Sequence, residues 1–278
     1  MLLGCKVTKK KRNHADVSIL FRIFVIEFKD YSEMKAKMKS LLIGLGLLSA
    51  TAIHAAQKSD TFQTSTGKTV TITHIKHATM QIEYDGRFIY VDPVVRLKPE
   101  TNFATYPKAD VLLVTHEHLD HYDALAVEQL STSETVFCLN SATYRQLQRG
   151  AMMKNGDSLK IANDMTVWAV PAYNTTPGRQ QYHPKGRDNG YVLEIDGLRI
   201  YLAGDTEDIP EMEQLKDIDI AFLPCNQPYT MTVDQLVRAA KMIKPKVLFP
   251  YHYSDTPVNQ LIFKLAGTGI DLRIRDYK

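Results

Sequence analysis

Cysteine is scarce in this 278-residue chain, which has three. Cys5 lies in a basic leader, leaving Cys138 and Cys225 in the main body. Two cysteines are too few for a disulfide framework, and both sit in or just after apolar runs where buried free thiols are the expectation. Long apolar stretches are also missing. The run Leu41–Leu48 is short and interrupted by glycine, whereas a transmembrane helix needs about 20 apolar residues. There is no low-complexity tract or repeat. No Gly-rich phosphate loop follows the first strand-like run, which weighs against a doubly wound nucleotide-binding sheet. Positive charge is lacking where nucleic acid would need it. Residues 1–55 hold ten Lys/Arg against four Asp/Glu, so of the chain's 34 basic and 31 acidic residues, 24 and 27 remain for residues 56–278. A body with net charge −3 offers no nucleic-acid footprint.

With 44% hydrophobic and 23% charged residues, the chain is of ordinary globular composition and long enough to bury a sizeable core. Its basic surplus has a local explanation. Lys35, Lys37 and Lys39 precede Leu41–Leu48, and the small residues Ala50, Ala52 and Ala55 follow. That is the layout of a secretory signal peptide over residues 34–55, with cleavage expected after Ala55 or Ala56, export to the periplasm, and no stable membrane insertion afterwards. An uncleaved anchor is the alternative. No cysteine follows the apolar run to suggest lipid attachment. Residues 1–33 sit awkwardly ahead of such a signal and are expected to be untranslated, with Met34 or Met38 as the start, or poorly ordered.

Residues 56–68 read as a polar linker, and 69–278 as a single domain. Val70–Thr73 and Met80–Tyr84 alternate with the two-residue period of half-buried strands, and Asp85-Gly86 predicts a hairpin turn into Phe88–Val91. Continuous apolar strands are predicted at Val111–Val114, Thr135–Leu139 and Met165–Val170. Others are predicted at Tyr191–Ile195, Leu198–Ala203, Ile218–Leu223 and Val247–Phe249, with Asp196-Gly197 as a second hairpin signal. Helical patterns fall at Ala124–Leu130, Ala142–Arg149, Val233–Ile243 and Val258–Ala266. The third of these starts with a capping box, Thr232 with Gln235. Hairpins followed by strands alternating with helices imply packed sheets flanked by helices, which a four-layer αββα sandwich satisfies.

The chemistry concentrates at Thr115-His116-Glu117-His118-Leu119-Asp120-His121, where a buried strand runs straight into three imidazoles and a carboxylate. Neutral imidazole and carboxylate are the usual ligands of zinc and other first-row metals. Two more polar residues, Asp205 and His252, stand where apolar strands stop. Strand ends gathered along one edge would bring them to the cluster.

These residues resemble the metallo-β-lactamase superfamily, whose His-x-His-x-Asp-His signature is matched by His116, His118, Asp120 and His121. Gly204-Asp205 and His252 follow in the family's order. Ile75–Thr79, Tyr90–Pro93 and Tyr229–Thr232 look most like the branch containing L-ascorbate-6-phosphate lactonase. The resemblance implies the αββα fold and two divalent metal ions, with zinc expected and manganese or iron as alternatives. It implies His116 and His118 on the first metal, Asp120, His121 and His252 on the second, and Asp205 bridging. The family supplies a further first-site histidine where this chain has Asn174. Asn174 or a water fills that place, or His183 swings in, and His183 is favoured as the only histidine between 121 and 252. His77 is expected to orient a ligand or the nucleophile, Asp92 to make turn or supporting hydrogen bonds, and His74 to be an ordinary strand residue.

Such a centre predicts a hydrolase in which a metal-bound hydroxide, oriented by Asp120, cleaves an ester, lactone, amide or phosphoester bond of a small molecule. The polar, basic stretch 174–187 reads as a substrate rim. Arg179, Lys185 and Arg187 are candidates to hold an anionic substrate, or are merely solvated. A diiron oxidoreductase and a non-catalytic metal-binding protein with a degenerate first site are the competing classes.

Overall fold

In the first segment of the fold, polar and apolar residues alternate so that every second side chain turns inward. β1 (Ser59–Gln63), β2 (Thr69–Lys76), β3 (Thr79–Tyr84) and β4 (Arg87–Val91) pair antiparallel, with Val70 and Ile72 of β2 and Ile82 of β3 buried. The computed structural model describes residues 59–277. The expected N-terminal extension and signal segment lie outside the described residues.

After β4 the pairing becomes parallel through β5 (Val111–Val114), β6 (Val136–Leu139) and β7 (Ala151–Met152), completing a seven-stranded sheet in sequential order. The second half repeats the plan. β8 (Ser158–Ala162), β9 (Met165–Ala172), β10 (Asp188–Ile195) and β11 (Leu198–Leu202) are antiparallel. β12 (Ile220–Pro224), β13 (Val247–Tyr251) and β14 (Asp271–Leu272) then add in parallel.

Parallel strands need covered faces, and their continuous apolar runs follow from that. Leu113 packs in the main core between the sheets with Ile82, Val167, Leu193 and Phe222. Its neighbours Leu112 and Val114 turn outward, against Ala126, Val127 and Leu130 of α1 (Ala124–Leu130). α2 (Ser141–Leu147) follows β6. On the second sheet, Leu236, Ala239, Ala240 and Ile243 of α3 (Val233–Ile243) join the core, and the expected Thr232–Gln235 capping box is formed. α4 (Gln260–Lys264) is shorter than its sequence pattern. Helix, sheet, sheet, helix is thus the layering. Cys138 and Cys225 are buried free thiols pushed up to about 12 by burial.

β1 corrects the reading of residues 56–68 as linker. Its inward residue is a carboxylate, Asp60, which no apolar pattern would reveal. Asp60 accepts from Arg275 Nε and Nη2, Arg273 Nη1 and His74 Nε2. His74 is accordingly more than a strand residue. It is buried between Asp60 and the Tyr277 hydroxyl, with the Phe249 ring 4.9 Å away. This polar knot fastens the C-terminal tail to the first strands.

Candidate metal centre

The parallel strands of both sheets end along one edge, and the polar residues leave from those ends. β4 runs into Asp92, β5 into His116–His121, β11 into Asp205 and β13 into His252. Gly204 makes the Asp205 approach possible. Its φ is +64°, and a Cβ there would lie 2.9 Å from the Asn189 carbonyl oxygen and 3.1 Å from Thr115. Any larger residue would push β11 away from β5.

All seven residues expected as ligands are brought together. His116, His118 and His183 form one set, with His118 Nδ1 lying 3.0 Å from His116 Nε2 and 3.3 Å from His183 Nε2. Asp120, His121 and His252 form a second, joined by His77. Asp205 stands between them. Its Oδ1 is 3.2 Å from His121 Nε2 and 3.4 Å from His252 Nε2, while its Oδ2 is 3.4 Å from His183 Nε2. Donors about 2.1 Å from a tetrahedral ion are about 3.4 Å apart, so this spacing suits a first-row metal.

The outer faces of the rings are held by other residues. His121 Nδ1 donates to Asp92 Oδ2 at 2.8 Å, and the same carboxylate accepts from the Thr115 amide and hydroxyl. His116 Nδ1 lies 3.0 Å from the Thr115 hydroxyl, and His183 Nδ1 lies 2.7 Å from Asn174 Oδ1. Asn174 in turn donates to the Tyr229 carbonyl. Of the alternatives for the third position of the first set, His183 is the one turned inward, and Asn174 orients it. Such outer hydrogen bonds fix tautomer and ring direction, leaving the inner nitrogens facing the centre. His121 Nε2, Asp205 Oδ1 and both nitrogens of His252 are buried without a hydrogen-bond partner. Orphaned buried donors and acceptors are costly, and a cation between them would satisfy all the inward ones at once. The donor set therefore fits divalent metals.

Electrostatics agree with that chemistry. Burial lowers His116 well below its usual pKa and takes His183 and His77 to about 4, keeping them neutral. Burial also works against ionisation of Asp205, but His252 and His121 outweigh it and hold the carboxyl well below its usual range. For Asp120 the opposing partners are His252 and His77, with the same result. His121 moves the other way: burial is outweighed by Asp205 and Asp92, and its pKa is raised. Ligation demands anionic carboxylates among neutral imidazoles, which every group but His121 meets; the proton that Asp205 and Asp92 favour on His121 is one that a cation bound at its Nε2 would displace.

Lys185 and Arg187, read from the sequence as either a clamp for an anionic substrate or merely solvated, are each engaged within the protein. Lys185 donates to Glu211 Oε1 at 2.8 Å and to the Tyr173 hydroxyl. Arg187 makes two 2.7 Å bonds to the buried Asp188, with Nη2 only 3.4 Å from His118 Nε2. Arg179 is tied to Gln227. Each cation already has a partner, distant in sequence for Lys185 and Arg179 and adjacent for Arg187. Lys185→Ala is expected to leave Tm within about 4 °C and kcat/KM within about twofold, as exposed pairs contribute little. Arg187→Ala would leave Asp188 buried and unpaired, costing about 3–5 kcal/mol. A thermal melt comparing the two variants checks this, and equal stability would refute the assignment.

Sequence reasoning did not single out Thr115, or Asn174 as an orienting group. Asp92, before Pro93 at a strand end, carried a weak signal. Asp92→Asn should weaken metal binding by about 10- to 100-fold with the ligands intact. A chelator-competition titration measures this, and unchanged affinity would count against it.

A family model for the beta-lactamase superfamily domain matches residues 71–252. The chain belongs to the metallo-β-lactamase superfamily. Its relatives there include a UPF0173 metal-dependent hydrolase of Pelotomaculum thermopropionicum, 33% identical over 199 residues that cover 67% of this chain and 86% of that one. A namesake from Anoxybacillus flavithermus is 29% identical over 217 residues, covering 73% and 96%. A Parabacteroides distasonis protein of known crystal structure is similar at 53% identity and TM-score 0.77, over 79% of this chain and 99% of the other. Igni18, a metallo hydrolase from Ignicoccus hospitalis, matches at 26% identity and TM-score 0.63, over 74% and 95%.

Proposed function

We propose that the protein is a hydrolase using two divalent metal ions, preferably zinc, to cleave an ester, lactone or phosphoester bond of a small molecule. The observation that carries this is Asp205, a buried carboxylate whose two oxygens face two separate sets of inward-turned nitrogens. When bound, the metals supply Lewis acidity toward water and toward a carbonyl or phosphoryl oxygen. His116, His118, His183 and Asp205 would hold the first, and Asp120, His121, His252 and Asp205 the second.

Asp120 has a further task for which its position is suited. Its side chain is 38% exposed, whereas Asp205 is 3% exposed. Anionic and open to the entrance, it can orient an attacking water and accept a proton from it. His77 Nε2 lies 3.1 Å from Asp120 Oδ2. Beside His77 is a cavity of ≈ 260 Å³ reaching Lys98, Tyr253 and Tyr277. That is smaller than the about 300 Å³ at which small-molecule sites begin, so it would hold only part of a substrate. Arg187, next to His118, is the cation nearest the centre and would favour an anionic one. Export to the periplasm belongs to this reading and rests on the leader sequence.

Elemental analysis of the purified protein, together with lactone, ester and phosphodiester substrates, tests the proposal against Asp120→Ala. Two metal equivalents and hydrolysis lost in the variant are expected. Iron with redox turnover, or tight metal without turnover of any substrate, would overturn it.

A further inference from the structure

We infer that His77 is itself a metal donor, a fourth protein ligand in the second set through Nε2. This goes beyond an orienting role and rests on the two-metal reading above. His77, Asp120, His121 and His252 each offer one ligand atom, all within 4.8 Å of one another. Taken from Asp120 Oδ2, the distances are 3.1 Å to His77 Nε2, 3.4 Å to His252 Nε2 and 3.9 Å to His121 Nε2. His77 is the nearest of the three imidazoles, and its 3.1 Å spacing lies closer to the about 3.4 Å edge of a tetrahedral site than the 3.9 Å of His121, while His252 matches that edge at 3.4 Å. Its ring lies beside that of His252, with centroids 3.7 Å apart and planes tilted by 44°.

The backbone shows that this placement is enforced. His77 has φ +50°, a left-handed conformation that costs a non-glycine residue free energy and persists only where surrounding structure imposes it. Two hydrogen bonds impose it here. The His77 amide donates to the Tyr277 carbonyl, and the His77 carbonyl accepts from the amide of His252, itself at φ +46°. His77 and His252 are thus locked to one another at the main chain and side by side at their rings. A residue serving only the β2–β3 turn would need neither.

The consequence is asymmetry. Counting the shared Asp205, the second set would have five protein donors and the first four. The first would then be the one better able to take an exogenous ligand, by expanding to five-coordination.

The test uses the full-length protein with cobalt(II) as probe. His77→Gly suits the left-handed backbone and should fold, which circular dichroism verifies. The wild type is expected to bind two equivalents. In His77→Gly the second should weaken by more than about 100-fold, beyond the 10- to 100-fold typical of an orienting partner. The paramagnetic proton spectrum should lose one shifted imidazole N–H, and added imidazole should restore the second equivalent. Two equivalents with unchanged affinity, or weakening within 100-fold with the same number of shifted signals, would overturn the assignment and leave the two-metal reading standing. Fewer than two equivalents in the wild type would overturn both.

Discussion

Replacement of Asp205 by Asn is expected to abolish tight binding of one of two metal ions and to lower kcat/KM by about a thousandfold or more. Asn matches Asp in volume, so the main-chain approach allowed by Gly204 is kept. What changes is charge and hydrogen-bond sense. One carboxylate oxygen becomes an NH2 donor directed at His121 and His252 or at His183, each 3.2 to 3.4 Å away. A donor cannot ligate a cation, and the loss of one negative charge removes the counter-ion that both sets share. His121, whose pKa is raised by Asp205 and Asp92 against the effect of burial, would also move back toward neutrality. Metal content by mass spectrometry and steady-state kinetics on the same preparation check the result. Two equivalents retained with turnover near wild type would remove Asp205 from the bridging role.

Replacement of Asp60 by Ala should give the largest loss of stability outside the centre. Asp60 is 2% exposed and accepts from two arginines and His74. Removing it leaves the buried His74 and the partly buried Arg275 without their shared acceptor, at about 3 kcal/mol. For a domain of this size that is a fall in Tm of about 10 °C. The pH dependence follows from the same knot. Burial lowers His74 despite its bond to Asp60. Asp60 is held far below its ordinary range because His74 and Arg275 outweigh the effect of burial. Both groups therefore bind protons more readily in the unfolded chain, so stability falls as pH drops below about 6.5 and falls further below about 4. Below about pH 4 the gap between wild type and Asp60→Ala should narrow as the carboxylate's contribution is titrated away. A gap constant from pH 7 to pH 3 in thermal melts would show that the ion pairs contribute nothing.

The parallel core strands and α1 and α3 were legible because continuous apolar runs and a capping box are local signals. The strand-to-signature junction at Val114–His121 was legible for a related reason, since burial followed by four metal-type side chains has no packing explanation. β1 was hidden because its one fully buried residue is Asp60, whose arginine partners lie more than 200 positions away. The fates of Lys185 and Arg187 were hidden likewise. Composition showed basic side chains in a loop, but their partners are Glu211 and Asp188, and pairing with them is decided by the folded path of residues 174–188. His183 could be favoured by elimination, whereas its fixing by Asn174 depends on the hydrogen bond between the two.

The tail that Asp60 and His74 secure also carries the carbonyl holding the His77 amide. The conformation of His77 is thereby tied to residues 273–277. On the proposal that His77 ligates metal, loss of Tyr277 would remove that anchor and loosen the second ion before the β-sandwich itself came apart. Slow inactivation on storage should therefore be traced by intact-mass measurement before it is blamed on chelation.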